Sequence, residues 1–362
     1  MPSVQSFVRV AACATVCVVA GAAGAAERLV WFGTYTGGPA KSEGIYVSRF
    51  DDATGSLSPV KLAGAASNPS YLALHPEKGW QSSGGSGPCH LSVHPTGRAV
   101  LADNYGGGST ICLGLTADGT LEPVVAATDG QPGGFVQHAF ERAGEFGLNK
   151  GRQEAPHAHS VDVTTDGRFA IVNDLGLDRV IVFALDADKA TIAPHGYARV
   201  KTAAGPRHFA LHPTGRYGYA VNELDLTVTG FAFDPQTAEL REIQTLSTLP
   251  ADVTERKGYS CAEIVAHPSG KFLYASNRGH DTIAIYAVDE GSGKLTFLGV
   301  EPIQGAMPRN FAVDPSGKFL LTGGQNSNTV SVFTIDQATG RLAFTGTTID
   351  VSAPVSIVFG RL

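Results

Sequence analysis

Short stretches that alternate apolar and polar residues recur along the chain, and each one runs into a tight turn and a second apolar stretch. The turn ends in Gly, followed by Arg or Lys in all segments but the first. Pro in most of these turns fixes the backbone entering the turn, and Gly supplies the positive φ that closes it. The pattern predicts repeated antiparallel strand pairs in six segments: Ser70–Gly79, Cys89–Arg98, His159–Arg168, Arg207–Arg216, Ala262–Lys271 and Arg309–Lys318.

A third and a fourth apolar stretch follow most of these pairs, as in Val180–Leu185 and Lys294–Leu298. Four antiparallel strands repeated about every 50 residues are typical of an all-β propeller in which each repeat forms one blade. The two ends of the chain complement each other. We expect Val355–Phe359 to supply the first strand of a shared closing blade, with its other three strands at Leu29–Thr34, Ile45–Phe50 and Leu57–Leu62.

The spacing of the turns is irregular at two places. His75 and His94 are only 19 residues apart, whereas His212 and His267 are 55 apart. The repeat after Tyr71 has therefore lost most of its strands, and we predict six complete blades plus a remnant. Asp129 to Glu154 is an insertion of about 20 residues beyond a normal connection. The spacing leaves open whether the ring closes with six blades or keeps a seven-fold layout.

Composition and charge limit the kinds of partner that the protein could bind, and the N-terminal residues indicate its compartment. The 362 residues are 43% hydrophobic and 17% charged, and the formal net charge of −6 argues against nucleic acid as a partner. One basic residue, an apolar run and a small-residue tract make residues 1–26 a predicted secretory signal peptide. We therefore expect an exported, periplasmic or secreted propeller domain at 27–362, with no membrane attachment after cleavage. The sequence predicts no oligomeric state.

The cysteine count does not provide a disulfide framework. Cys13 and Cys17 belong to the predicted signal peptide, which leaves Cys89, Cys112 and Cys261. Cys89 and Cys112 should lie on the first and third strands of one blade, too far apart for a disulfide. We expect three free thiols.

Polar residues of varied chemistry collect where the first strand of each blade begins and the second ends, which is the same rim of a propeller. Arg207, Arg278 and Glu223 fall at this rim. The two guanidinium groups could bind an anion or a developing oxyanion, or they could form a structural ion pair with the carboxylate of Glu223. His157 and His159 share a strand face and could instead bind a metal. The histidines of the His-Pro turns fall at the opposite rim, where they look architectural. Asparagines at strand ends often only satisfy backbone groups.

Several motifs together resemble the bacterial lactonase family of seven-bladed propellers. They are Gly85–His90, Asn104–Gly108, Gln153–Ser160, Gly205–His208 and Val221–Glu223. The resemblance implies lactone ring opening, or its reverse, without a nucleotide or redox cofactor. We therefore predict a lactone hydrolase of the 6-phosphogluconolactonase-like type with a small-molecule lactone as partner, no cofactor and no metal ligands. The resemblance also implies catalytic roles for His157 or His159, Arg207, Glu223 and Arg278.

In the expected mechanism, Glu223 or one of the two histidines removes a proton from the attacking water. Arg207 and Arg278 then bind the substrate and stabilise the oxyanion. Further substrate contacts are expected from six residues: His90, Asn104, His208, Asn222, Asn277 and Arg309. Two alternatives remain open at this point, a non-catalytic exported propeller that binds a protein or glycan and a metal-dependent sugar lactonase.

Overall fold

A computed structural model describes residues 27–37, 41–75, 79–81, 87–141 and 147–360. The predicted signal peptide lies outside these residues. The regular elements of the described chain are β-strands, and none of its segments forms a long apolar helix of the kind that crosses a membrane.

The strands form seven sheets, six with four strands and one with two, and all their pairings are antiparallel. Blade 1 comprises β26 (Pro354–Phe359), β1 (Glu27–Thr34), β2 (Gly44–Asp51) and β3 (Lys61–Ala65), and blade 2 comprises β4 (Ala73–His75) and β5 (Gly79–Gln81). Blade 3 contains β6 (Pro88–Val93), β7 (Ala99–Asn104), β8 (Ser109–Gly114) and β9 (Phe135–Gln137). Blade 4 contains β10 (Ala158–Val163), β11 (Phe169–Asp174), β12 (Arg179–Asp186) and β13 (Thr191–Arg199).

The remaining three blades repeat the same order. Blade 5 contains β14 (Pro206–Leu211), β15 (Tyr217–Asn222), β16 (Thr227–Phe233) and β17 (Leu240–Ser247). Blade 6 contains β18 (Ser260–Ala266), β19 (Phe272–Arg278), β20 (Thr282–Val288) and β21 (Leu295–Pro302). Blade 7 contains β22 (Pro308–Val313), β23 (Phe319–Gly324), β24 (Thr329–Ile335) and β25 (Leu342–Asp350).

The chain closes as predicted, with both ends of the described chain in blade 1. β1 pairs with β2 on one side and with β26 on the other. The first strands of neighbouring blades pack against one another around the axis, as β22 does with β26 and β6 with β10. The predicted propeller with a shared closing blade is confirmed.

Blade 2 is the predicted remnant, and its contacts show where it lies in the ring. The backbone N–H of Leu72, just before β4, donates to Oγ of Ser356 in blade 1 (3.1 Å). On the other side His75 donates from Nε2 to the carbonyl of Gly97 in blade 3 (2.9 Å). The two-stranded sheet therefore fills the sector between blades 1 and 3, and the ring has seven sectors with six complete blades.

Hydrophobic side chains of adjacent blades interlock to form the core. Between blades 5 and 6, for example, buried Tyr219 and Val221 pack with Ile264, Leu273 and Tyr286. Each sheet is therefore buried by its neighbours rather than by a separate layer.

The His-Pro turns fasten one blade to the next. His212 donates from Nε2 to the carbonyl of Gly270 (2.8 Å), and His267 donates likewise to Gly317 (2.7 Å). Both glycines have φ near +75°, and a Cβ on either would lie 2.7–2.8 Å from the histidine ring. Glycine is required here for its conformation and for its lack of a side chain, and the histidines are structural.

The segment 129–154 differs from the expected plain insertion, because it carries the short fourth strand of blade 3, β9. His138, directly after β9, contacts Oδ2 of Asp174 through Nδ1 (2.7 Å) and the hydroxyl of Thr110 through Nε2 (3.1 Å). These buried contacts hold the segment across blades 3 and 4. The chain then reaches Arg152 and His157 at the rim.

Candidate active site

β-Bulges at the rim ends of the first strands set the positions of the main candidate residues. In β14, Pro206 pairs with Asn222 and His208 with Val221, so Arg207 is the extra residue. The same bulge, in which two residues of the first strand lie opposite one residue of the second, occurs in three other blades. The extra residues there differ in chemistry and are Cys89, His159 and Arg309. A bulge bends the strand and re-aims its side chain. Non-equivalent chemistry is thereby presented at equivalent points around one mouth.

Glu223 lies at the centre of a buried charge cluster. Its Oε1 contacts Nη2 of Arg152 (2.6 Å) and Nη2 of Arg278 (3.1 Å), and its Oε2 contacts Nε of Arg207 (3.0 Å). Burial favours the neutral acid, but Arg278, Arg207 and Arg152 outweigh it and lower the pKa of Glu223 to about 2. Both oxygens of Glu223 are already engaged by guanidinium groups, so the geometry does not favour Glu223 as the group that deprotonates water.

The arginines are fixed by backbone carbonyls as well as by Glu223. Arg207 donates from Nη1 to the carbonyl of Ala262 (2.5 Å), and Arg278 from Nη2 to that of Cys261 (2.8 Å). Arg309 stacks over the ring of Tyr35 at 5.5 Å and makes no ion pair with any described residue. Burial, Arg309 and Arg278 together lower the pKa of Arg207 to about 9. Three arginines therefore share the one carboxylate of Glu223, which leaves this cluster with an excess of positive charge in a chain of negative net charge.

Arg152 is a site residue that the sequence analysis missed. Its guanidinium contacts Glu223 and also the phenol oxygen of Tyr105 (3.2 Å). The neighbouring Gln153 is fully buried and anchors this turn by donating to the carbonyl of Leu175 (2.9 Å). The signal available in the sequence was a charged residue directly before the Gln-Glu-Ala-Pro-His-Ala-His motif.

The two candidate histidines of that motif have different surroundings. His157 stacks on Tyr105 with ring centroids 4.4 Å apart, and its nitrogens contact two acceptors, the carbonyl of Tyr105 and the carboxylate of Glu154. His159 is 4% exposed, and its Nδ1 has no partner. Burial and Arg207 hold the pKa of His159 well below its usual range. His159 is therefore a neutral imidazole with an unused nitrogen beside the arginines.

The geometry gives no support to a metal centre. No group of three or more His, Cys, Asp or Glu residues within the described chain is arranged to hold an ion. His157 is instead occupied by Tyr105 and Glu154.

His90 and His208 lie deeper, around the axis of the ring. Nδ1 of His90 accepts the backbone N–H of Val161 (3.3 Å), and its ring lies 4.0 Å from that of Tyr71. His208 contacts the carboxylate of Glu263 (2.8 Å). Both histidines are nearly fully buried.

The three asparagines expected to bind substrate donate hydrogen bonds within the protein. Asn222 donates to the hydroxyls of Thr227 (2.8 Å) and Thr229 (2.9 Å), and Asn277 donates to the carbonyl of Thr248 (2.9 Å). Both have no exposed surface. The amide nitrogen of Asn104, 7% exposed, is likewise bonded within its blade, to Ser109 (3.2 Å). Their amide nitrogens hold the second strand to its neighbours, whereas the amide oxygens of Asn104 and Asn222 have no partner among the described residues. The expected substrate contacts of the three asparagines stay predictions.

The three cysteines of the described chain, Cys89, Cys112 and Cys261, are free thiols, as expected. Cys89 is at the mouth, where its thiol donates to the carbonyl of His159 (3.2 Å). Burial, reinforced by Asp103, raises the pKa of Cys89 to about 12. A thiol of this kind is a poor nucleophile.

The profile of the family described as lactonase, 7-bladed beta-propeller, matches residues 29–80 and 77–359. The chain belongs to this lactonase family. Membership confirms the expected family, the propeller class and the expectation of a hydrolase of the lactonase type.

Relatives and solved structures agree with this membership. The 6-phosphogluconolactonase of Bacillus subtilis is 31% identical over 315 residues, which cover 78% of this chain and 84% of that protein. The periplasmic gluconolactonase of Pseudomonas aeruginosa has a structure that matches with a TM-score of 0.81 at 28% identity, covering 93% of this chain and 99% of that one. A solved protein structure from Bacteroides fragilis matches at 31% identity with a TM-score of 0.79, covering 92% and 98%.

Proposed function

We propose that this lactonase hydrolyses a sugar lactone at the positive mouth, and that His159, Arg207, Glu223 and Arg278 are the residues that carry the reaction. The observation that carries this proposal is the convergence of Arg207 and Arg278 on Glu223, with the neutral His159 beside them. Fixed guanidinium groups in a buried setting are suited to a carbonyl oxygen that becomes negative during attack.

Each residue has a separate role in the proposed reaction. Arg207 and Arg278 donate hydrogen bonds to the carbonyl oxygen, and their charge stabilises the tetrahedral oxyanion. His159 accepts a proton from the attacking water through its unpartnered nitrogen. Glu223 stays ionised and holds the guanidinium groups in place. Arg152 and Arg309 attract anionic substrate and product groups to the mouth.

We infer further that the protein is exported and acts on an unphosphorylated lactone of the gluconolactone type. The pattern of residues 1–26 supports export. The similarity to the periplasmic gluconolactonase of Pseudomonas aeruginosa supports both the compartment and the substrate.

The test compares initial rates for Arg207→Ala and Arg278→Ala with the wild type, after subtraction of spontaneous lactone opening. We expect each change to lower kcat about 100- to 1000-fold, as the loss of one oxyanion donor does. Arg216→Ala is the matched control, because Arg216 ends the same repeat at an exposed turn, where its guanidinium contacts the carbonyl of Glu290 and the ring of Tyr217. Wild-type rates in folded Arg207→Ala and Arg278→Ala would refute the assignment.

A further inference from the structure

Beside the arginine cluster, a second histidine combines a fixed orientation with an unused ring nitrogen. His208 follows Arg207 directly in β14 and is 3% exposed. Its Nδ1 lies 2.8 Å from Oε1 of Glu263, and its Nε2, across the ring, is buried without a partner. A buried imidazole nitrogen without a hydrogen bond is costly unless it serves a ligand or a reaction.

The carboxylate of Glu263 is held firmly in place. Oε1 accepts the backbone N–H of Ile264 (3.0 Å), and Oε2 accepts the side-chain amide of Asn310 from the next blade. The backbone N–H of Glu263 donates to Oγ of Ser276 (2.9 Å). Glu263 therefore fixes both the position and the rotation of the His208 ring.

His208 and Glu263 lie close enough to the proposed site to interact electrostatically with its charged residues. The charged groups that face His208 are Glu263 from β18, Arg207 from its own strand, Arg309 from β22, Glu223 after β15 and Arg278 at the end of β19. Three further rings surround it, those of His159 at 5.2 Å, His90 at 5.1 Å and Tyr71 at 5.9 Å between centroids. His208 therefore lies between the buried rings around the axis and the charged residues of the mouth.

Lactone hydrolysis needs a proton at the leaving oxygen as well as a base for the water, because the ring oxygen of an aliphatic lactone leaves poorly as an alkoxide. The ring oxygen and the carbonyl oxygen are bonded to the same carbon. When Arg207 holds the carbonyl oxygen, the ring oxygen therefore lies close to His208, the residue beside Arg207. Glu223 carries no proton to give, and His157 is occupied on both nitrogens.

We propose that His208 is the general acid that protonates the leaving ring oxygen, and that Glu263 is the positioning residue that orients it and holds its proton. The inference rests on the proposed lactonase activity. Burial, opposed by Arg207, raises the pKa of Glu263 to about 7, which is consistent with a pair that keeps one exchangeable proton near neutral pH.

The proton balance closes over one turnover. Water gives a proton to His159 as its oxygen bonds to the carbonyl carbon. The carbon–ring oxygen bond then breaks, and the ring oxygen takes the proton from Nε2 of His208. At the same time the proton of neutral Glu263 passes to Nδ1, so His208 stays neutral and Glu263 becomes ionised. After the product leaves, His159 releases its proton to solvent and the His208–Glu263 pair takes one up, which resets both groups. The new carboxylic acid ionises to solvent, so the net reaction is lactone plus water giving a hydroxy acid.

The test uses the dependence of rate on the leaving group. Two substrates are compared, gluconolactone, which expels an alkoxide, and dihydrocoumarin, an aryl lactone that expels a phenoxide of a much stronger acid. For His208→Asn and Glu263→Gln we expect kcat on gluconolactone to fall about 100-fold or more, within the range of general acid catalysis. On dihydrocoumarin we expect a loss below about 10-fold, because this leaving group needs little proton assistance.

Two other variants separate the proposed role from simpler ones. His159→Asn should lower both rates together, because both substrates need the activated water. His212→Asn removes an equally buried histidine just beyond the opposite end of β14 and should leave the ratio of the two rates unchanged. Equal losses on both substrates in folded His208→Asn and Glu263→Gln would overturn the inference. Absence of lactone turnover by the wild type would instead refute the proposed function.

Discussion

Replacing Glu223 with Gln keeps the shape of the side chain but removes the charge that three guanidinium groups share. Arg207, Arg278 and Arg152 lie within 3.1 Å of its two oxygens, and Glu223 is 3% exposed. Folding lowers its pKa from an ordinary 4.5 to about 2. Since one pKa unit corresponds to 1.36 kcal/mol, the folded protein favours the ionised carboxylate by about 3 kcal/mol.

We therefore expect Glu223→Gln to lower the free energy of unfolding by about 3 kcal/mol at pH 7, a value within the range for breaking a buried ion pair. Because folding lowers this pKa, the contribution is complete above pH 4.5 and is lost as the pH falls towards 2. The stability difference between wild type and variant should be constant from pH 6 to 8, given the same pKa values, and should shrink below about 4.5.

The measurement is urea denaturation followed by far-ultraviolet circular dichroism at a series of pH values. Other carboxylates titrate in both proteins, so the difference isolates Glu223. Glu239→Gln is the control, because Glu239 is exposed and makes no ion pair with a described residue. A difference below about 1 kcal/mol at pH 7, or one that is unchanged down to pH 3, would refute this account of the charge cluster.

Four further predictions follow from particular contacts. Arg152→Ala should raise KM for a lactone that carries a phosphate or carboxylate by about 10-fold or more and affect a neutral lactone less, because a charge-assisted hydrogen bond contributes about 1.5–3 kcal/mol; steady-state kinetics with both substrates checks this. His212→Ala should lower the free energy of unfolding by about 1–3 kcal/mol through loss of its bond to Gly270, with kcat unchanged in rate assays. With the pKa of Glu263 raised to about 7, kcat/KM should fall as the pH rises through about 7, and Glu263→Gln should abolish that limb of the pH profile. Cys89, Cys112 and Cys261, each with a pKa raised to about 12 by burial, should react with a thiol reagent at pH 8 only after denaturation, as a spectrophotometric thiol titration would show.

Most of the fold could be predicted from the sequence because each blade repeats the same local chemistry. The alternating strand, the Pro- and Gly-containing turn and the next apolar strand are all readable within about 20 residues. The strand pattern also showed that Val355–Phe359 would complete the first blade. The short β9 was hidden because Phe135–Gln137 is only three residues long and lies inside a polar segment.

Only part of the candidate site could be predicted. The strand pattern indicates which residues lie at the rim, but it does not show where the bulges fall or which side chains are buried. Arg207, Glu223 and Arg278 do meet, since they lie at equivalent strand ends. Asn222 and Asn277 also lie at such ends, yet their amides are fully buried and bonded to threonines and a backbone carbonyl.

Other features of the site depend on contacts between distant segments. Arg152 reaches Glu223 across 71 positions of the chain, and His208 meets Glu263 across 55. No local pattern encodes such pairs, and the packing of neighbouring blades brings them together.

The rate at which the purified protein opens gluconolactone above the spontaneous rate tests the proposed site and function most directly. It is measured beside Arg207→Ala and with phosphorylated gluconolactone as a second substrate. We predict rapid turnover of the unphosphorylated lactone by the wild type and a loss of about 100- to 1000-fold in the variant. Faster turnover of the phosphorylated lactone would contradict only the inferred substrate. No hydrolysis of either lactone above background, or equal rates for wild type and variant, would contradict the proposed site and function.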